Sequence, residues 1–314
     1  MKIIAFGTLK GGTGKTSTLF NLGGLLAEQH KVLLIDADPQ FNLTSNAGIS
    51  VTYKGLRTLK DVFEGSAAAD DIIYKSPIPQ LPNLDIIPSS IQLTATELNI
   101  VNFAGREQIL RNFIQDNSDR LQEYDYIFID TNPNLGMINQ NVFNAADAIV
   151  LVSDVSFNSI TGAEFFIALW ESIRQRLRKP ENVAALLLNN SDGRLKLAKE
   201  LLAYVQGNEQ LRHLLLQNVL PTSVQVKNTE LDHKPINILE GDTTANREAV
   251  ERVRTAFIGV LNELKERGYC NVKNAKSLYG KFSRFGGQRG SSCRLSPTSC
   301  RNGFNHAPAF RNRD

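Results

Sequence analysis

An α/β fold, with a mostly parallel twisted sheet and helices on both faces, is predicted by three features of the sequence. Apolar runs of strand length recur at residues 3–6, 32–36, 84–87, 124–130, 147–153 and 183–188. They are continuous rather than alternating, the pattern of strands buried on both faces of a parallel sheet. Stretches with helical spacing separate them, so that five or six strand-then-helix units follow one another. The third feature is a glycine-rich turn at residues 10–17. It lies between the first strand and a helix that carries Leu19, Leu22, Leu25 and Leu26 on one side.

The turn reads Lys10-Gly11-Gly12-Thr13-Gly14-Lys15-Thr16-Ser17. Strand, glycine-rich turn and helix in that order are the setting of a phosphate-binding loop. Glycines lack Cβ atoms, so the backbone folds tightly and turns successive N–H groups toward phosphate oxygens. The helix that starts near Lys15 adds the positive end of its dipole. In this setting Lys15 reaches the β- and γ-phosphates and the Thr16 hydroxyl meets Mg²⁺. The plain phosphate-loop pattern has Gly where this chain has Leu9, and the extra lysine, Lys10, precedes the paired glycines.

The second run ends in Asp36, followed by Ala37, Asp38, Pro39, Gln40, Phe41 and Asn42. An acid just past a strand of a parallel sheet lies at the carboxyl edge, where ligands bind. A helix cap or a turn aspartate also takes such a position. Residues 56–64 predict a short helix with Leu56, Leu59 and Phe63 on one face, and residues 106–113 an amphipathic one. The run at 124–130 delivers Asp130 to the same edge, where a carboxylate holds Mg²⁺, often through water. Alone, an acid there is equally an ordinary strand end; its place behind the loop and Asp38 gives it meaning.

A helix over 161–178 carries the sole tryptophan, Trp170, read as core among Phe165, Phe166, Leu169 and Ile173. The run at 183–188 ends at Asn189 and Asn190, ahead of a Ser191-Asp192-Gly193 turn, and Arg194 opens the next helix. A last helix at 244–267 has a stripe of Val253, Phe257, Val260, Leu261 and Leu264, stopped by Gly268.

With 42% hydrophobic and 21% charged residues, the 314-residue composition is that of a soluble globular protein. No apolar run approaches the ~20 residues of a membrane span. The chain opens directly on a strand, so no signal peptide and a cytoplasmic address are expected. The expected organisation is a domain at 1–268 and a basic tail at 269–314. From Cys270 onward there are nine Lys/Arg and one acid, leaving residues 1–269 with a net charge of −5. The tail is rich in Gly, Ser, Asn and Arg and is expected to be disordered, with a non-native extension as one reading. It holds all three cysteines, Cys270, Cys293 and Cys300, at spacings that match no zinc pattern. Leu278, Phe282 and Phe285 among Lys276, Lys281 and Arg284 suit an anionic membrane surface, although Gly280, Gly286 and Gly287 oppose a stable helix. Nonspecific attraction to nucleic acid is the other reading of the tail's charge.

The loop, with Lys10 ahead of the glycines, resembles the deviant Walker A loop of the ParA/MinD ATPases. Asp36-Ala37-Asp38-Pro39-Gln40 resembles the Asp-x-Asp-Pro-Gln motif of ParA proteins, and Asp130 its Walker B acid. The resemblance covers about residues 1–267 and is closest to the small ParA/Soj ATPases, which lack the N-terminal DNA-reading domain of the larger class. It implies a P-loop NTPase fold, ATP and Mg²⁺ as cofactors, and a homodimer that sandwiches two ATPs. Residues 10–17 would hold the nucleotide, with Lys10 reaching the partner's phosphates and Lys15 serving its own. Asp38 would orient the attacking water or couple it to Mg²⁺, and Thr16, Asp38 and Asp130 would surround the metal.

By the same resemblance Asn189 is a candidate adenine contact, an asparagine before a turn being the plainer reading. Pro221, in Val219-Leu220-Pro221, would contact the base by backbone and shape. Arg194, Lys227 and Lys234 are candidate DNA contacts, while Thr222 and Gln225 stand where relatives carry arginines. The family follows its Walker B acid with x-Pro-Pro; here Asn132 replaces the first proline. The implied role is partition or positioning of plasmid or chromosomal DNA. The ATP dimer would bind DNA nonspecifically on the nucleoid, and a ParB-like partner would stimulate hydrolysis. A MinD-like membrane-associated ATPase is the alternative, with Gln40 and Asn42 favouring ParA. A reductase or metabolic enzyme of the same fold is a third reading; its iron-protein members need interface cysteines, and residues 1–269 have none.

Overall fold

The computed structural model describes residues 1–52, 55–191 and 196–270. All six expected strands are present: β1 (Lys2–Gly7), β2 (Val32–Ala37), β3 (Leu84–Ile87), β4 (Tyr126–Thr131), β5 (Ala148–Asp154) and β6 (Val183–Asn189). They form one sheet in the order β3-β2-β4-β1-β5-β6, and every neighbouring pair is parallel. Burial on both faces explains the unbroken apolar runs: β2 and β4 are buried at every position. Both edges are partly covered. Tyr74 exchanges backbone hydrogen bonds with Ile86 of β3 at 2.8 and 3.0 Å, antiparallel to it. Beyond β6, Leu186 bridges Leu215 and Ser191 bridges Pro221, both parallel.

The register decides what meets at the carboxyl edge. Asp36 on β2 and Phe6 on β1 both stand opposite Asp130 on β4, and Asp154 on β5 stands opposite Asn189 on β6. The chain reaches β2 from β1 by stepping over β4, and reaches β5 from β4 by stepping over β1. The connections therefore diverge around β1 and β4, the crevice where parallel sheets bind ligands.

Helix α1 (Lys15–Ala27) follows the glycine-rich turn, and α2 (Asn42–Asn46) follows β2. Then come α3 (Leu59–Phe63), α4 (Ala69–Ile72), α5 (Leu93–Ile100), α6 (Ile109–Asp116) and α7 (Ser118–Leu121). The second half contributes α8 (Met137–Ala145), α9 (Phe157–Arg176), α10 (Lys196–Gly207), α11 (Val224–Leu231) and α12 (Thr244–Glu266). One face of the sheet carries α1, against which α11 and α12 pack; the other carries α3, α8 and α9, with α5 and α6 packed against α8. Glycine is required where α1 packs most closely: a Cβ on Gly24 would come within 2.3 Å of Pro235.

The predicted helices differ in detail. The one expected at 56–64 is α3, begun where the Asp61 carboxylate accepts the Thr58 N–H at 2.8 Å. The one expected at 106–113 is a 3-10 turn, Arg106–Gln108, running into α6. The helix with Trp170 starts earlier, at Phe157, because Ser156 caps it by accepting the Ser159 N–H. Trp170 is core, in edge contact with Phe143 and bonded through Nε1 to Asn182 Oδ1 at 2.9 Å. Phe165 and Leu169, expected beside it, lie on the outer face of α9, 61% and 52% exposed. The last helix ends as expected at Gly268, whose φ is +81°. Cys270 is buried, which pushes its thiol up to about 12. The tail reading at 271–314 lies outside the described residues, as does Arg194.

Candidate functional site

At the end of β1 the backbone takes positive φ at Gly12 (+80°) and Gly14 (+77°). Only glycine adopts these values without strain. Gly14 is also the N-cap of α1, its carbonyl accepting the Thr18 N–H at 2.9 Å. A Cβ there would lie 2.2 Å from Asn189 Nδ2. Asn189 closes the turn from below by donating to the Thr13 carbonyl at 2.8 Å. The first N–H groups of α1 have no partner within the helix and point out of its start. Thr13 Oγ1 is buried without a hydrogen-bond partner. Unpaired donors, the positive end of a helix and an orphaned hydroxyl together fit an anionic phosphate chain.

Beneath the loop, Lys15 is only 6% exposed and forms an ion pair with the fully buried Asp130. The Thr16 hydroxyl donates to the other oxygen of the same carboxylate at 2.6 Å. Asp36, next to Asp130 in the sheet, accepts the Thr44 N–H (2.8 Å), the Thr44 hydroxyl (2.7 Å) and the Asp38 N–H (3.1 Å). Burial, and then the adjoining Asp130 charge, push its carboxyl up to about 7. Asp36 thus ties the Asp38 turn to α2. Asp38 opens into the cleft and accepts the Gln40 N–H at 2.9 Å. Its carboxyl is raised chiefly by burial, and Lys15 nearby opposes the rise.

A cleft of about 430 Å³ is lined by residues 10–17 with Asp38, Gln40, Asn42, Pro133 and Glu230, while Asp36 and Asp130 lie buried outside its lining. Thr16, Asp38 and Asp130 are hard oxygen donors of the kind Mg²⁺ takes. No group of three or more His, Cys, Asp or Glu able to hold a metal occurs among the described residues. That donor set fits an ion held by one or two carboxylates together with substrate phosphates.

Lys10 turns away from the loop it precedes. Its Nζ donates to Asp154 Oδ2 at 2.8 Å and to Ser156 Oγ at 3.0 Å. Burial alone would raise the Asp154 carboxyl, but the bonds from Lys10 and Ser156 outweigh it and hold it below the usual range.

Of the predicted site residues, the structure brings together residues 10–17, Asp38 and Asp130. Neither Asn189 nor Pro221 lines the phosphate cleft; Pro221 bridges Ser191 beyond β6. Lys227 is exposed on α11 and Lys234 half-buried after it, and neither forms an ion pair among the described residues. Sequence reasoning missed Glu230, which hydrogen-bonds the Ser17 hydroxyl from α11, and Asn139, whose amide holds the loop after Asp130. Glu230 lies 213 residues from Ser17 and in no motif, so no local signal announces it.

Comparison with known proteins places the chain. The AAA domain family (AAA_31) matches residues 1–183. The sporulation initiation inhibitor protein Soj of Bacillus subtilis is 32% identical over 75% of this chain and 90% of its own length. The chromosome partitioning protein ParA of Caulobacter vibrioides is 31% identical over 75% of this chain and 86% of its own. Among solved structures, the ATP complex of a Cyanothece McdA variant superposes with a TM-score of 0.72 at 22% identity, covering 87% of this chain and 99% of that one.

Proposed function

The chain belongs to the ParA/Soj type of the ParA/MinD ATPases, and on that premise we propose that it hydrolyses ATP to partition or position DNA. The observation that carries the reading is the meeting of Lys15 and Thr16 on one buried carboxylate, Asp130, under a glycine loop at the helix start. Lys15 would offset charge on the β- and γ-phosphates, and the loop's N–H groups would hold their oxygens. Thr16, Asp130 and Asp38 would hold Mg²⁺, which would supply Lewis-acid charge compensation for the phosphates. Asp38 would orient the attacking water. No nucleophilic side chain is needed, because phosphoryl transfer rests on placement and charge compensation.

The finer reading follows the relatives. Residues 1–268 form the ATPase domain and 269–314 a separate basic tail. Two copies sandwich two nucleotides, each Lys10 serving the other copy's phosphates. The ATP dimer binds DNA without sequence preference, with Arg194, Lys227 and Lys234 as contacts and Asn189 and Pro221 near the base. A ParB-like partner stimulates turnover, and the protein is nucleoid-associated in the cytoplasm. The membrane alternative depends on residues 276–285, outside the described residues; no described helix is long and apolar enough to cross a membrane.

Titration with a fluorescent ATP analogue and Mg²⁺ tests the reading. Lys15→Ala should lower affinity by a hundredfold or more, roughly the loss of one charged hydrogen-bonded contact of about 3 kcal/mol. Wild-type affinity in that variant would remove Lys15 from the phosphates.

A further inference from the structure

The loop after Asp130 carries Asn132 where the resemblance expects proline, and the structure shows what fixes it instead. Its start is tied to β1: Thr131 is buried, and its Oγ1 donates to the Phe6 carbonyl at 2.7 Å. Its end is tied to α5: the Ile138 N–H donates to Glu97 Oε1 at 3.0 Å. Ile138, Val142 and Phe143 then bury α8 in the core. Between these anchors runs Asn132-Pro133-Asn134, and Pro133 lines the phosphate cleft together with Asp38 and Lys10.

One side chain gathers that span. Asn139 is fully buried, and its Nδ2 lies 2.9 Å from the Asn132 carbonyl and 2.8 Å from the Asn134 carbonyl. It also lies 3.1 Å from Asn134 Oδ1 and within bonding distance of Asn132 Oδ1. An amide nitrogen carries two hydrogens, so four oxygens compete for two bonds. The loop can then shift by exchanging one acceptor for another while both hydrogens stay paired. Such a shift avoids the cost of leaving a buried donor unpaired. A second amide, Asn134, closes the turn by accepting the Gly136 N–H at 2.8 Å.

We infer that Asn139 is the positioning residue of the loop that walls the phosphate end of the cleft, and that it sets the rate of hydrolysis rather than nucleotide affinity. The inference rests on the ATPase reading above. Affinity resides in residues 10–17 on the other side of the cleft, which Asn139 does not touch. Hydrolysis depends on how the walls place water and phosphate, where a displacement of about 1 Å costs roughly a hundredfold. Asn139 contacts no reacting atom and acts only through Asn132, Pro133 and Asn134.

The test is steady-state ATP hydrolysis with Mg²⁺ by the full chain, alongside thermal melting. The wild type must first bind and hydrolyse ATP; failure there overturns the ATPase reading itself, separately from this one. Asn139→Ala should lower kcat by roughly ten- to a hundredfold with KM within about twofold. Asn139→Thr, which keeps one donor hydrogen, should fall between, and it decides the matter if the alanine variant does not fold. Asn132 is not among the described residues with positive φ, the first condition that Asn132→Pro must meet. In the Asn139→Ala background its fixed φ, about −65°, should restore most of the lost kcat. Unchanged kcat in a folded variant overturns the inference. So does a joint loss of kcat, affinity and melting temperature that Asn132→Pro does not reverse.

Discussion

Lys10 is held within its own chain by Asp154, at 2.8 Å across the gap between the glycine loop and the end of β5. The pair is partly open, the two side chains being 37% and 21% exposed. Ser156 braces it from both sides, accepting from Lys10 and donating to the second Asp154 oxygen at 2.5 Å. A lysine that serves a second copy's phosphates must leave this pair. On the proposal that Lys10 reaches a second copy's phosphates, the contact within the chain would compete with assembly.

Asp154→Asn should therefore promote nucleotide-dependent dimerisation. A part-exposed ion pair contributes at most about 1 kcal/mol; each dimer frees two, so the protein concentration at half-dimerisation should fall by up to about thirtyfold. Sedimentation with ATP and Mg²⁺ reads this directly. An unchanged midpoint means that Lys10 is not in competition; a lost dimer means that Asp154 is needed in the assembly itself.

The strands and the glycine loop were legible in the sequence because their signals are local. Unbroken apolar runs follow from burial on both faces, and the loop's glycines from positive φ at Gly12 and Gly14. Helix α8 was not legible. Its segment, Met137–Ala145, reads as polar because Asn139, Asn141 and Asn144 are all buried in it. They are buried because their amides satisfy carbonyls of other segments: Asn141 donates to Arg106 at 2.6 Å and Asn144 to Glu107 at 2.8 Å. Partners so distant leave no periodicity to read. The same holds at the site. Asp38 and Asp130 lie at strand ends that a motif marks, whereas Asp36 looks identical in sequence and only its depth in the sheet shows it bracing Thr44.

Glu263 gives a pH-dependent prediction away from the site. From α12 its carboxylate accepts the Gln217 and Asn218 N–H groups, at 2.8 to 3.0 Å, and the Asn218 side chain at 3.0 Å. Burial raises its pKa, but those bonds and Arg267 outweigh it, so the folded value lies below that of the unfolded chain. Its contribution is then fully present above pH ~4.5 and is lost as pH falls through the lower folded value. Glu263→Gln should cost about 1–3 kcal/mol in urea unfolding at pH 7. The difference from wild type should shrink below about pH 4. A cost that does not change with pH would assign the effect to packing.

DNA binding, if it is borne by the folded domain, should require ATP and fall steeply with salt. Six to ten neutralised phosphates imply a loss of about a thousandfold or more between ~50 and ~200 mM salt. Lys227, exposed on α11, and Lys234 beyond it are the described residues to change first. Each substitution to alanine should weaken binding to unrelated sequences alike and reduce the salt slope by about one per contact removed. Truncation after Gly268 should leave the affinity largely in place. Complete loss on truncation would assign the binding to the tail instead.

Mixing two inactive variants tests whether Lys10 acts between copies. Lys15 already pairs with Asp130 inside its own site, and Lys10 sits at the far lip of the loop, directed toward Asp154. Lys10→Ala should bind ATP as a monomer but neither dimerise nor hydrolyse. Asp38→Ala should bind ATP and dimerise but hydrolyse slowly, because Asp38 lines the cleft outside the loop that holds the phosphates. In a mixed dimer, one site then combines Asp38 of the Lys10→Ala copy with Lys10 of the Asp38→Ala copy. That site is intact only if the lysine crosses the interface. Recovery of up to half the wild-type activity per dimer is expected, since one of the two sites is restored. If sedimentation shows mixed dimers and no activity returns, Lys10 does not act in trans, and its bond to Asp154 is then its resting place and its function alike.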